Sequence, residues 1–226
     1  MSSEQTAAAD GPRPARPLLL AGVALAAVVA LLAAGALGFW AGGGAPRPGE
    51  DSVEAGFARD MQTHHAQAVQ MALSVREKST DPVLRAVAYD IASSQQQQAG
   101  QLYGWLVQWG LPQTSVQPAM AWMHADRMGS MTGQPAMEML PDGRLPGMAA
   151  TADLQRLDAA TGRDAEILFL RLMITHHRAG VAMARAAAEQ ADRPEVVRLA
   201  RAITSAQTAE TEQLQQLLTS RGQPRA

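Results

Sequence analysis

The chain contains the same pattern twice. Shifted by 112 residues, Phe57 falls on Phe169, Met61 on Met173, His64-His65 on His176-His177 and Met71 on Met183. Further along, Pro82 falls on Pro194, Ile91 on Ile203, Gln95 on Gln207, Leu102 on Leu214, Leu106 on Leu218 and Gly110 on Gly222. Chance does not hold one register over about fifty positions, and a repeat of this length is one supersecondary unit that buries its apolar face against its neighbour. The expected domain spans 51–222, with repeats at 54–110 and 166–222 and a connector at 111–150.

Each repeat reads as a helical hairpin. The first helix is expected from about Ser52 to Lys78, with a break at Thr80-Asp81-Pro82 and a second helix to about Trp109. Asp81 is a good N-cap before a proline in the first helical position. Leu84, Val87, Ala88, Ile91, Leu102, Trp105, Leu106 and Trp109 recur at helical spacing. The second repeat breaks at Asp192-Arg193-Pro194 and continues through Val196, Leu199, Ile203, Leu214 and Leu217. Aromatic residues make up only 4% of the chain and β-branched runs are short, which argues against a sheet. Two antiparallel hairpins give an all-α four-helix bundle.

The N-terminus bears on the compartment. Residues 1–17 read as a cytoplasmic tail. The stretch Leu18 to Trp40 holds no charged residue and is long enough to cross a hydrocarbon core of about 30 Å. Arg13 and Arg16 precede it, so the positive-inside rule exports everything beyond. The expectation is a single-pass anchor with the C-terminal domain outside the cytoplasm, a cleaved signal peptide being the rival reading. Residues 41–50, rich in Gly and Pro, read as a linker.

Composition removes several function classes. A net charge of −2 without a basic stripe makes nucleic acid an unexpected partner. No cysteine is present, which removes disulfides, thiolate metal sites and thiol catalysis. Methionine and histidine remain as the soft or borderline ligands.

Those ligands are concentrated. Met61, His64, His65 and Met71 share a broad helical face, and Met173, His176, His177 and Met183 repeat it. Adjacent histidines point about 100° apart, so one of each pair is expected to look straight inward. His65 and Gln95 stand about equally far from the first break, as do His177 and Gln207 from the second. Antiparallel packing therefore sets the histidines level with Gln95, Gln98, Gln207 and Glu210, a polar layer crossing the core. Imidazole suits copper, zinc, iron and nickel, whereas thioether selects Cu(I) and similar ions. The connector adds Met120, Met123, Met128, Met131, Met137, Met139 and Met148, seven of the twelve methionines, together with His124. The expected metal residues are Met61, His64, His65, Met71, Met173, His176, His177, Met183 and Glu210, with Met123 and His124 on the connector. Copper is the expected ion, another soft or borderline transition metal the alternative.

The doubled motif resembles the exported domain-of-unknown-function family 305, whose pattern is Phe-x-x-x-Met-x-x-His-His-x-x-Ala-x-x-Met-Ala. Here it stands as Phe57, Met61, His64, His65, Ala68, Met71 and Ala72. The second copy runs Phe169, Met173, His176, His177, Gly180, Met183 and Ala184, with Gly in place of Ala. The family's Pro-Gly-Met appears as Pro146-Gly147-Met148, preceded by Leu145 where Met is usual. Its Gln-x-x-Glu is kept as Gln207 to Glu210 but reads Gln95 to Gln98 in the first copy. Its acid three residues before the Phe is Glu54 or Glu166, where Asp is commoner. The resemblance implies a ferritin-like bundle and, for some members, copper binding associated with copper tolerance.

The function expected is extracytoplasmic copper buffering or carriage, without catalysis and with an unidentified copper-transfer partner. A metal-free interaction or sensory ectodomain is the alternative. A ferritin-like di-iron oxidase fits less well. Met61 and Met173 stand three residues before a histidine where such centres carry Glu, and only Glu54, Asp60, Glu166 and Glu210 could help.

Overall fold

The computed structural model describes residues 47–124 and 139–226. The elements are α1 (Val53–Lys78), α2 (Pro82–Trp109), a 3-10 turn (Ala121–His124), α3 (Thr151–Ala159), α4 (Gly162–Gln190) and α5 (Pro194–Ser220), with no strand among the described residues. The expected tail, the expected anchor and residues 41–46 of the linker lie outside the described residues. Among the described residues no helix is long and apolar enough to cross a membrane.

Local chemistry sets the helix ends. Ser52 Oγ accepts from Ala55 N at 3.2 Å and starts α1. Asp81 Oδ1 accepts from Val83 N at 2.8 Å and Leu84 N at 3.4 Å, capping α2 with Pro82 in its first turn. Gly110 ends α2 with φ 74°, a left-handed turn that glycine adopts without a Cβ penalty.

α1 pairs with α2 and α4 with α5, and the two hairpins meet chiefly along α1 and α4. Their ends show that α1 and α4 run antiparallel. Glu54, at the start of α1, accepts from the backbone N–H groups of Asp192 (2.8 Å) and Arg193 (3.2 Å) in the turn after α4. Ser79, just past α1, donates to Glu166 near the start of α4 at 2.5 Å. Glu166 also takes Arg221 Nε at 2.7 Å, and Arg221 reaches Asp81 at 2.6 Å. Each acid that opens a long helix thus holds the turn of the opposite hairpin. Glu54 and Glu166 are engaged at the bundle ends, away from the histidines.

Side chains of all four long helices fill the core in two separate clusters. One gathers Phe57, Met61, Leu102, Leu106, Met183 and Ile203, the other Met71, Leu84, Ile91, Phe169, Met173 and Leu214. Burying each large aliphatic or aromatic side chain contributes on the order of 1.5–3 kcal/mol. Between the clusters lie the histidines. The connector returns across them, fixed by a reciprocal amide pair in which Gln67 Nε2 donates to Ala149 O at 3.0 Å and Gln67 Oε1 accepts from Ala149 N at 2.7 Å.

Candidate metal centre

Where α1 crosses α4, the His64 and His176 rings stack with centroids 3.7 Å apart and planes tilted by 31°. His65 and His177 turn instead toward the second helix of their own hairpins. His177 Nε2 lies 2.7 Å from Glu210 Oε2 on α5, and His65 faces Gln98 on α2. The expectation that one histidine of each pair looks inward is therefore corrected: all four are fully buried. The angle between neighbours on a helix sends one ring to the α1–α4 seam and the other to the groove within the hairpin, and both directions are interior in a four-helix arrangement.

Burial sets the charge state. Loss of water pushes His64 down to about 3 and His65 to about 4, and holds His176 well below the ordinary imidazole range. Neighbouring imidazoles add to the lowering in all three cases, since protonating one ring disfavours protonating the next. The Pro146 carbonyl beside His64 and the Gln98 amide beside His65 favour the protonated forms without reversing the balance. Even so, no ring nitrogen of His64, His65 or His176 meets hydrogen-bond geometry with a partner among the described residues, nor does His177 Nδ1. A carboxylate only accepts, so His177 Nε2 donates to Glu210 and Nδ1 is the ring nitrogen left without a partner among the described residues.

The amides of the layer are similarly placed. Gln95 and Gln207 are buried, and their side-chain nitrogens and oxygens have no partner among the described residues. Gly180 explains its own identity here. A Cβ at 180 would lie 2.3 Å from Gln207 Oε1 and 3.2 Å from His64 Cε1, so glycine lets both side chains approach the α4 backbone. Gly147 does the same for the connector. Its φ is 75°, and a Cβ there would stand 2.4 Å from Ala179 Cβ and 2.9 Å from the Thr175 carbonyl. The Pro146-Gly147 turn thereby rests directly on α4 beside His176. Gln67 and Pro146 are positioning residues that sequence reasoning missed. The Pro-Gly-Met motif was the available signal, since Gly before Met suggests a close backbone approach.

The methionines divide between the two sides of the layer. Because α1 and α4 are antiparallel, Met61 shares a cluster with Met183, while Met173 shares the other with Met71. The expected pairing of Met61 with Met173 in one ligand set is thus separated by the histidines. Met123 is buried in the same cluster as Met61, whereas the side chain of His124 and all of Met128, Met131 and Met137 lie outside the described residues. Among the described residues no three of His, Asp or Glu converge as a metal-holding group. The donors at the layer are paired imidazoles, one carboxylate and amides, with thioethers in the flanking clusters. The residues fit a soft ion on the chemistry of this set, because neutral imidazole and thioether bind without losing a proton. A cleft of about 600 Å³ lies elsewhere, lined by Ser52, Gly56, Arg59, Asp60 and Trp122 among others.

A DUF305 protein from Streptomyces coelicolor is 39% identical, with a TM-score of 0.69 over 79% of this chain and 99% of that one. A DUF305 fragment from Deinococcus radiodurans is 32% identical, with a TM-score of 0.59 over 78% and 99%. CopM in its Cu(II)-bound form is 28% identical, with a TM-score of 0.53 over 75% and 97%, and its Cu(I)-bound form is 25% identical at 0.52 over 75% and 96%. No functionally curated protein matches. The family described as Domain of unknown function (DUF305) matches residues 54–218, most of the chain, and the protein belongs to that family.

Proposed function

We propose that this protein binds copper outside the cytoplasm and buffers or carries it, without catalysis. The observation that carries this reading is the buried layer at the α1–α4 crossing, where three histidines leave both ring nitrogens without a partner. Unpartnered buried polar groups each cost on the order of 1–3 kcal/mol, and a layer of them is retained at a cost that a ligand would offset. Burial keeps the rings neutral, so their lone pairs are available at any pH near 7. The ion is the cargo, and the chain's residues do the rest. His64 and His176 offer nitrogens at the edges of their stacked rings, because imidazole lone pairs lie in the ring plane. Glu210 orients His177 and leaves Nδ1 as its donor, in the manner of carboxylates behind metal-ligating histidines. Gln95 and Gln207 line the layer, and Met61, Met71, Met173 and Met183 supply thioethers on either side.

Similarity to CopM, which has been solved in Cu(I)- and Cu(II)-bound forms, supports the choice of ion. The engagement of Glu54 and Glu166 at the bundle ends and of Asp60 with Met120 and Trp122 disfavours a di-iron oxidase, which needs carboxylates at the core. The uncharged stretch from Leu18 to Trp40 supports export and anchoring.

The test is competition for Cu(I) between a colorimetric chelator and the full chain, beside a variant with His64, His65, His176 and His177 changed to Asn. The expected result is copper bound by the parent and at least a hundredfold loss of its tightest binding in a variant that still folds. A parent that binds no copper, or a folded variant that binds as tightly, would overturn the reading.

A further inference from the structure

The cleft of about 600 Å³ beside the 3-10 turn is of a size that holds a small molecule. Its wall contains a strained residue. Met120 has φ 65°, the one non-glycine residue with positive φ among the described residues, a backbone state that costs on the order of 1 kcal/mol or more without glycine. Asp60 Oδ2 holds that turn, accepting from the Met120 backbone N–H at 2.8 Å and from Trp122 Nε1 at 2.7 Å. Trp122 packs edge-on to Phe57 at 5.9 Å and lies over Gly56, where a Cβ would meet the indole at 2.4 Å.

The cleft offers acceptors that lack donors. Asp60 lines it while only 8% exposed. Both of its hydrogen bonds fall on Oδ2, and Oδ1 has no hydrogen-bond or ion-pair partner among the described residues. Burial raises its proton affinity above the ordinary carboxylate range, even against the lowering by both hydrogen bonds and by Arg59. Gln113 lines the same cleft. Its Nε2 donates to Tyr103 O at 3.3 Å, whereas its Oε1 is buried without a partner among the described residues. The guanidinium at the site is already engaged. Arg59 Nε donates to Pro112 O at 3.0 Å, Nη1 to Glu50 O at 3.1 Å and Nη2 to Glu50 Oε1 at 2.9 Å. Arg59 thereby neutralises Glu50, and among the described lining residues Asp51 and Asp60 are left without a paired cation. That balance disfavours an anion. A metal ion fits no better, since no three of His, Asp or Glu converge among the described residues.

We propose that this cleft binds a small organic amine in its protonated form, the ammonium donating to Asp60 Oδ1 and the carbon body lying against Pro118, Ala119 and Trp122. Gln113 Oε1 supplies a second acceptor in the same cleft. Acceptors without donors call for N–H bonds, which a quaternary ammonium lacks. The apolar residues of the turn favour an alkyl chain over a bare ammonium ion. None of the paired histidines lines the cleft, so amine binding does not depend on copper.

The experiment is titration of the ¹⁵N-labelled, metal-free full chain with n-butylamine, beside n-butanol and tetramethylammonium. Trp122 Nε1–H donates to Asp60 and reports on it directly, and Trp122→Phe assigns its signal among the four tryptophans. The expected result is saturable movement of the Trp122 indole and Met120 amide resonances with butylamine, and binding about tenfold weaker or less for either control. Asp60→Asn keeps the shape of the side chain but places an amide donor where Oδ1 accepted, and should weaken butylamine about tenfold or more. Gln113→Leu leaves the Asp60 hydrogen bonds intact and should weaken it about fivefold, a reading that stands even where Asp60→Asn does not fold. Butylamine that moves neither resonance would overturn the proposal, as would butanol or tetramethylammonium that moves them as readily. So would folded variants that bind butylamine as tightly as the parent.

Discussion

The two hairpins bring matching histidines to one level but support them differently. In the second hairpin His177 meets a carboxylate, Glu210, at 2.7 Å, and a glycine at 180 lets Gln207 and His64 press against the α4 backbone. In the first, His65 faces the amide of Gln98 and the position matching Gly180 is Ala68. The ends differ as well. Glu54 holds its turn through backbone N–H groups, whereas Glu166 is tied to Arg221, and Arg221 to Asp81. At one end of the bundle the acid is tied to a guanidinium, at the other to backbone N–H groups. The difference indicates that matched sequence does not impose matched electrostatics.

Acid should break both hairpins' shares of the layer at once, and by the largest margin. Folded His64 titrates near 3 and His65 near 4, while the unfolded chain protonates its histidines near 6.5. The unfolded state therefore binds more protons below that value, and stability falls as pH drops from about 6.5 toward 3. The denaturant midpoint should be level above pH 7 and decline steadily below 6.5. A midpoint unchanged between pH 7 and 4.5 would contradict the neutral buried rings.

Next in size is the ionic end. Arg221→Ala leaves Glu166 buried without its cation and should cost about 3–5 kcal/mol. Glu54→Gln keeps an acceptor for the backbone N–H groups and should cost about 1 kcal/mol. Equal losses in thermal melting would erase the contrast. Gly180→Ala should cost about 1–3 kcal/mol by overpacking against Gln207 and His64, against about 1–2 kcal/mol for Ala68→Gly, which loses helix propensity and a buried methyl. The smallest effect concerns Glu210. Glu210→Gln should weaken Cu(I) binding by about 10–100-fold with little change in melting, and Gln98→Glu should strengthen it. Chelator competition reads both.

Much of this arrangement was legible in the sequence. Asp81-Pro82 and Pro194 are strong local punctuation, so the hairpins could be bounded to within a residue or two. Counting from those turns also set the histidines level with Gln95 and Gln207. What could not be read was tertiary. No pattern within α1 says that α4 runs antiparallel to it, so the partition of Met61 with Met183 and Met71 with Met173 was out of reach. Nor does a helical wheel show that the second histidine of each pair finds an interior groove. Glu54 and Glu166 were visible as recurrent acids, but their roles depend on turns more than eighty residues distant. The left-handed backbone at Met120 had no signal at all, because only glycine, asparagine or aspartate advertise that conformation.

The central claim is that the paired histidines receive copper, and imidazole nitrogens report it directly. The chain holds five histidines, so a Cu(I) titration of ¹⁵N-histidine-labelled full chain resolves each ring. The account predicts that His64, His65, His176 and His177 shift together with the first copper bound, His177 through Nδ1 while Nε2 stays protonated toward Glu210. Copper that binds without moving any of these four rings, or that leaves the whole chain unbound, would contradict it.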